Sequence, residues 1–470
     1  MRTANCRRCL NIKNTKKDMK NDRAQFVTKT GVIAATVGSA VGLGNIWRFP
    51  YEAGVHGGGA FLLLYVICVL LVGVPVIVAE FVLGRGTHAN AKGAISHLMP
   101  GSWMRWFPLL GVLASILILG FYSVVAGWIL AYLYMAITGA MSGHTPQEYS
   151  AIFGEFVSSP WLSTMCTILF LLINYTVLRR GVQKGIEKIA NILMPLLFVI
   201  LVVFCINSLF MDGAREGMEF LFNPDFSKIT PSVVVGAMGQ AFFSLSVGLG
   251  CLLTYASYFN DKTPLVKSAI TIGALDTLVA ILAGIMIFPA VFSFGMSAEA
   301  GPKLVFEILP SIFQHLPLSY MWSTAFFVLL FFASLTSTIS MSETCIACFV
   351  EELKMSRKKA TIMNTAICMF LGVLCSLSFG VMSSFTICGK TLFDLFDFVS
   401  SSILLPVGGI FFSLFVGWII DKKFLDSQLT CNGEGKMSNW VKLPMMFCIR
   451  FVAPISIVLI FLVGLGVLKF

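Results

Sequence analysis

The chain has 470 residues, of which 57% are hydrophobic and only 12% charged, with a formal net charge of +10 and a mean hydropathy of +0.87. Soluble domains carry about 25% charged residues. Half that fraction cannot coat a soluble globule, so an ordinary cytosolic enzyme, a secreted disulfide scaffold and a disordered chain are all excluded.

The first 30 residues form a basic tail with nine lysines and arginines and no apolar core of the kind a cleavable signal peptide needs. Cys6 and Cys9 make a lone C-x-x-C there, and a zinc site would want a second pair. Most of the other cysteines lie in apolar runs and read as small buried hydrophobes. Beyond the tail, unbroken apolar runs such as Phe61 to Glu80 and Ile189 to Phe210 suit helical spans of ~20 residues. They do not resemble the ~10-residue alternating segments of a membrane barrel. Eleven spans are predicted, at 31–54, 57–84, 105–139, 161–178, 186–208, 231–258, 264–295, 319–352, 358–379, 393–420 and 442–470. With the N-terminus inside, 26 of the 33 lysines and arginines fall in the tail and the inner loops and five fall outside. That asymmetry predicts a cytoplasmic N-terminus and, after eleven spans, an extracytoplasmic C-terminus. It also explains the net charge without nucleic acid.

In the first span, Gly38-Ser39-Ala40-Val41-Gly42-Leu43-Gly44-Asn45-Ile46-Trp47-Arg48-Phe49-Pro50 combines a glycine-weakened stretch with Asn45 as an oxygen ligand and Arg48 as a charge needing a partner. The tetrapeptide Val41 to Gly44 recurs in the sixth span as Val247 to Gly250, again with a serine close by (Ser39; Ser246). Equivalent interruptions at the start of two five-span halves point to an inverted repeat, with free carbonyls for a cation and half-helix N-termini for an anion at the midplane. The same glycines would also serve close helix packing. The sixth span adds Gln240-Ala241-Phe242-Phe243-Ser244-Leu245-Ser246, aromatics that suit either a pocket or the core. Asp276 is the only carboxylate between Asp261 and Glu299; inside the bilayer it needs a counter-charge, for which a bound cation is the natural one, whereas at an inner helix end water would serve. Ala333 to Thr338 in the eighth span is a hydroxyl cluster suited to an alkali cation, or to bonding its own helix carbonyls. Asp394 and Asp397 open the tenth, and Asp397 is the candidate counter-ion of Arg48.

These motifs, with Gly57-Gly58-Gly59-Ala60-Phe61, Thr254-Tyr255-Ala256-Ser257-Tyr258 and Leu335-Thr336-Ser337, resemble the neurotransmitter:sodium symporters, especially their bacterial amino-acid members typified by the bacterial leucine transporter. The resemblance runs from about residue 23 to 450. It implies an all-α polytopic membrane protein with a five-plus-five inverted-repeat transporter fold, broken first and sixth helices and eleven transmembrane helices. The expected organisation is a basic cytoplasmic tail (1–30), a first five-helix repeat (31–210), a second (231–420) and the eleventh helix (442–470).

The resemblance also implies two sodium sites. The first would use Ala40, Asn45, Ser244 and Asp276. The second would use the carbonyls of Gly38, Val41 and Ala333 with the hydroxyls of Thr336 and Ser337. Substrate would be held by Ser39, Ala40, Gly42, Gly44, Ile118, Tyr122, Phe243, Ser244, Ser246, Leu249, Ser337 and Met341. Arg48 and Asp397 would form an outer gate, and Arg23, Glu351 and Tyr258 an inner one. Gly185 and Pro195 match a pair that lets the fifth span unwind and release sodium inward.

Two departures carry information. Of the four chloride-type positions, Tyr65, Gln240 and Ser244 are present, whereas the fourth is Ala280. Asp276 can supply the missing negative charge, which predicts chloride-independent transport. Gly42 stands where monoamine-transporting relatives have an aspartate, leaving room for a substrate carboxylate. With Ile118, Leu249 and Met341 around it, a neutral hydrophobic or aromatic α-amino acid is predicted. No nucleophile–base pair or phosphate loop is present, so no enzyme activity is expected. The expected partners are that amino acid, sodium ions and the bilayer of a bacterial inner membrane, and a homodimer is admissible. A membrane sensor that binds without transporting is the rival reading.

Overall fold

The structure is a computed structural model that describes residues 25–141, 143–295, 304–431 and 438–469. Cys6, Cys9 and Arg23 lie outside them. The described residues are helical apart from turns and one isolated bridge between Ile387 and Lys390. Eight helices are long and apolar enough to cross a membrane singly: Gly59–Thr87, Trp103–Ile137, Val182–Ser208, Leu265–Ser293, Ser319–Glu352, Arg357–Leu377, Leu392–Ile419 and Asn439–Gly464. The first span is a pair of helices bent by 52°. The fourth is Leu162–Leu178, set at 73° to the short helix before it. The sixth is two helices, Pro231–Ser244 and Cys251–Ala256, joined by an unwound stretch. These are the eleven predicted spans.

The breaks have local causes. Lys29–Ala40 is capped by the Thr28 hydroxyl, which accepts from the Gly31 N–H, and it ends at Val41 in an extended conformation. A wide turn, Gly44–Arg48, then leads into Phe49–Val55, where Pro50 sits in the first turn and needs no N–H partner. In the sixth span Ser246, Gly248 and Gly250 all take positive φ, at 52°, 90° and 75°. A Cβ at Gly248 would press on the backbone of Leu405 and Gly409. Only glycine lets the unwound strand lie that close to the tenth span.

Burial sorts the spans. The second, third, seventh and eighth are 67–72% buried, and the fifth, ninth and eleventh only 33–44%. The former enclose the two breaks and the latter present an apolar face outward. Short helices absent from the sequence prediction also form, among them Ala91–Leu98, Pro146–Ser158 and Ala214–Phe222. Their amphipathic sequences contain no long apolar run, so a search for spans passes over them.

Candidate functional site

The two breaks face each other across the centre of the bundle. Asn45 Nδ2 donates to Ser244 Oγ at 2.9 Å, to the Asp276 carbonyl at 3.1 Å and to Asp276 Oδ1 at 2.8 Å. Asp276 Oδ2 accepts from Ser244 Oγ at 2.8 Å and from the Tyr65 hydroxyl at 3.1 Å. Asp276 is fully buried, and no lysine, arginine or histidine among the described residues pairs with it. Three neutral donors thus surround one buried carboxylate. The oxygens of Ser244 and Asp276 converge on a single electropositive group, the Asn45 amide, which occupies ground a small cation would also find favourable. Gln240, from the same helix as Ser244, reaches the Gly44 carbonyl at 2.9 Å. Ala280, one turn beyond Asp276, is buried.

A second oxygen cluster lies where Lys29–Ala40 meets the eighth span. Ser337 Oγ donates to the Val41 carbonyl at 3.2 Å, and Thr336 Oγ1 donates to the carbonyls of Phe332 (3.0 Å) and Ala333 (3.2 Å). A Cβ at Gly38 would stand 3.3 Å from Thr336 Cβ, so the two residues are in contact. The five residues predicted for the second cation are therefore neighbours. Hydroxyls and carbonyls without thiol or imidazole suit a hard alkali ion.

Between the clusters is a cavity of about 40 Å³, reachable by the centre of a water-sized sphere. Eleven of the twelve predicted substrate residues line it: Ala40, Gly42, Gly44, Ile118, Tyr122, Phe243, Ser244, Ser246, Leu249, Ser337 and Met341. The twelfth, Ser39, is linked to it because Ser246 Oγ donates to the Ser39 carbonyl at 3.2 Å. Leu43 and Leu405 complete the wall, and neither was predicted. Tyr122 OH accepts from the Leu43 N–H at 3.3 Å. Phe243 and Leu405 also line a second, larger cavity of about 500 Å³ that touches Arg48, Glu52, His56 and Ser401.

The residues predicted for the two gates make these contacts, Arg23 excepted, which lies outside the described residues. The Arg48 guanidinium lies 4.5 Å above the centre of the Phe243 ring, and its Nε is 3.3 Å from Glu52. Asp397 accepts from Ser401 Oγ at 2.9 Å. At the opposite end of the bundle, Glu351 accepts from the Asn90 backbone and side-chain nitrogens, each at 2.8 Å. Tyr258 donates to Glu343 at 2.7 Å, and Arg357 clasps Glu343 with two bonds of 2.8 and 2.6 Å.

Sequence reasoning gave no role to Glu52, Glu80, Glu343 or Arg357. An intramembrane carboxylate is itself a signal, and Glu80 and Glu343 both carried it. Glu80 is fully buried and accepts from the Gly248 N–H at 2.7 Å and the Leu253 N–H at 3.1 Å. It supplies the acceptor that the unwound sixth span loses from its own helix. Glu80→Ala leaves both N–H groups unpaired, at a cost of about 1–3 kcal/mol each. The expected result is loss of ligand binding and a lower Tm. Glu80→Gln, which keeps one carbonyl acceptor, should recover part of both.

Opposed helix breaks around a central cavity, lined by residues of the first, third, sixth, eighth and tenth apolar segments, define a membrane transporter of the five-plus-five inverted-repeat class. The chain belongs to the sodium:neurotransmitter symporter family, whose profile matches residues 23–151 and 154–469. It is 38% identical over 451 residues to an uncharacterised sodium-dependent transporter of Bacillus subtilis, YhdH, covering 95% of this chain and 98% of that one. It is 35% identical over 457 residues to one from Haemophilus influenzae, covering 94% and 98%. The crystal structure of MhsT in complex with L-phenylalanine superposes with a TM-score of 0.87 at 43% identity, covering 94% of this chain and all of MhsT. The protein is thus a multi-pass, sodium-coupled membrane transporter.

Proposed function

We propose that the protein carries a neutral, hydrophobic or aromatic α-amino acid into the cell by symport with two sodium ions, without chloride. The observation that carries this reading is the buried Asp276 carboxylate, met only by neutral donors, beside a cavity lined by both helix breaks. The phenylalanine bound by MhsT supports an amino acid as the ligand class.

In this reading the first sodium ion sits between Asn45, Ser244, Asp276 and the Ala40 carbonyl, with Asn45 turned to offer its oxygen. The substrate carboxylate completes the shell beside Gly42 and Tyr122, so ion and substrate strengthen each other's binding reciprocally. The apolar side chain lies against Ile118, Leu249 and Met341. The second ion ties the first span to the eighth through Val41, Gly38, Ala333, Thr336 and Ser337. Phe243 then covers the substrate, and Arg48 exchanges Glu52 for Asp397 to close the outer side. Opening the Tyr258, Glu351 and Arg23 end releases the load, helped by unwinding of the fifth span between Gly185 and Pro195. The two repeats are residues 31–210 and 231–420, flanked by the basic tail 1–30 and the eleventh helix 442–470. Residues 1–30 lie on the cytoplasmic side of a bacterial inner membrane. Two sodium ions crossing 100 mV supply about 2.3 kcal/mol each, enough for accumulation on the order of a thousandfold.

The test is uptake of labelled amino acids into proteoliposomes, first with an inward sodium gradient and then with potassium in its place. Uptake of one neutral class only with sodium is expected. Sodium-dependent binding without accumulation would replace the symporter by a membrane sensor. Indifference to sodium would remove the cation sites around Asp276 and Thr336.

A further inference from the structure

Glu187 lies on the fifth span, in the six-residue wide turn Val182–Glu187 that precedes the regular helix Lys188–Ser208. It is 4% exposed, and no cation among the described residues pairs with it. Its carboxylate instead holds the start of the first span. Oε2 accepts from the Val27 N–H at 3.0 Å, and Oε1 from the Thr28 N–H at 3.1 Å and the Thr28 hydroxyl at 2.9 Å. Thr28 in turn caps Lys29–Ala40. A Cβ at Gly31 would stand 2.6 Å from Glu187 Cδ, so the carboxyl group lies flush against the helix because residue 31 has no side chain. A second tie runs alongside, from Gln183 Nε2 to the Gln25 carbonyl at 2.8 Å.

The half-helix Lys29–Ala40 is therefore held at both ends. At its start is a carboxylate from the fifth span. At its finish are Gly38 and Val41, in contact with Thr336 and Ser337. Gly38 also faces Met194 of the fifth span, whose Sδ would be 3.2 Å from an added Cβ. A negative charge at a helix N-terminus is favourable, because the free N–H groups and the helix dipole both point at it. That favour depends on the winding of the fifth span. Wide turns hold one residue more than an α turn, and a slip of one residue swings a side chain by about 100° around the axis. Such a slip carries Glu187 off the cap.

We propose that Glu187 is a positioning latch: it makes unwinding of the fifth span and release of the first half-helix a single event, and so sets how much sodium is needed to keep that half-helix closed. The proposal rests on the reading of the second oxygen cluster as a sodium site. Latch and ion hold the same rigid segment in series, so weakening one raises the requirement for the other by mass action.

Hydrogen exchange of the full-length protein in nanodiscs, followed by mass spectrometry over a sodium titration with choline as replacement, tests this directly. In the wild type, segments 26–40 and 182–190 are expected to become protected together, with one common sodium midpoint. Glu187→Gln should move that midpoint upward about tenfold for both segments, as expected for loss of a charge-assisted cap. Thr28→Val, which leaves the carboxylate in place, should move it by a smaller factor and guards against a folding defect in the first variant. Faster exchange in 26–40 with an unmoved midpoint would make Glu187 a structural cap only and overturn the latch. Two segments opening at different sodium concentrations would overturn it as well. Sodium-dependent binding of labelled amino acid by the wild type separates the two failures. Its loss would sink the sodium reading itself, and its presence with an unmoved midpoint sinks the latch alone.

Discussion

Asp276→Ala is expected to abolish sodium-dependent uptake while leaving the protein in the membrane. Two unit charges 4 Å apart at an effective dielectric constant of 20 interact by about 4 kcal/mol. Loss of the carboxylate therefore weakens sodium binding at the first site by about three orders of magnitude. The donors Asn45, Ser244 and Tyr65, which now converge on Asp276, lose their acceptor at the same time. Asp276→Asn is the sharper experiment, because it keeps the shape and removes only the charge. With Tyr65, Ser244 and Gln240 still in place around the site, the asparagine variant should bind sodium poorly in gluconate buffer and recover part of its affinity in chloride. The wild type should transport equally in both. A wild-type protein that needs chloride would overturn the assignment of the fixed negative charge to Asp276. The measurement is a sodium titration of labelled amino-acid uptake in the two anions.

Gly42→Ala is expected to lower substrate affinity at least about a hundredfold, with a Tm lowered only as far as the overlap with Ser337 demands. A Cβ at residue 42 would stand 2.5 Å from Ser337 Oγ and 3.3 Å from the Tyr122 hydroxyl, inside the cavity. It falls where the substrate carboxylate is proposed to lie, so one methyl group displaces the group that bridges sodium and Tyr122. Forced overlap of this kind typically costs 1–3 kcal/mol, and the lost carboxylate contacts add to it. Gly42→Asp should go further. Its own carboxylate would occupy the place of the substrate's and transfer preference from amino acids to the corresponding amines. Competition binding with phenylalanine and phenethylamine distinguishes the outcomes. Unaltered preference in Gly42→Asp would move the carboxylate subsite elsewhere in the cavity.

Much of this was legible in one dimension because the bilayer imposes a strong code. A span must be long and apolar, and polar residues inside it stand out against that background. Asn45, Asp276 and the Ala333 to Thr338 hydroxyls were visible for that reason, and the repeated Val-Gly-Leu-Gly located both breaks. Glu80 and Glu343 carried the same signal but were passed over: Glu80 closes the apolar run that begins at Phe61, and Glu343 lies within the eighth span with no partner legible in sequence. Asp397 was matched to Arg48 on charge and topology. In this conformation Arg48 instead meets Glu52, one helical turn away, and the face of Phe243.

By itself the sequence determined that the chain is a multi-pass helical membrane protein with eleven apolar segments, where two of those segments break and which polar residues lie inside them, since each follows from hydropathy, glycine content and spacing along a single chain. Only the tertiary structure decided which of these groups meet. The union of Asn45, Ser244, Tyr65 and Asp276 joins four spans. Glu80 supports an unwound strand 168 residues away, and Glu187 caps a helix 160 residues before it. Such pairings depend on how helices rotate and pack against one another. Apolar faces that are uniform all round leave that rotation unspecified in sequence, so shape and hydrogen-bond satisfaction in three dimensions must set it.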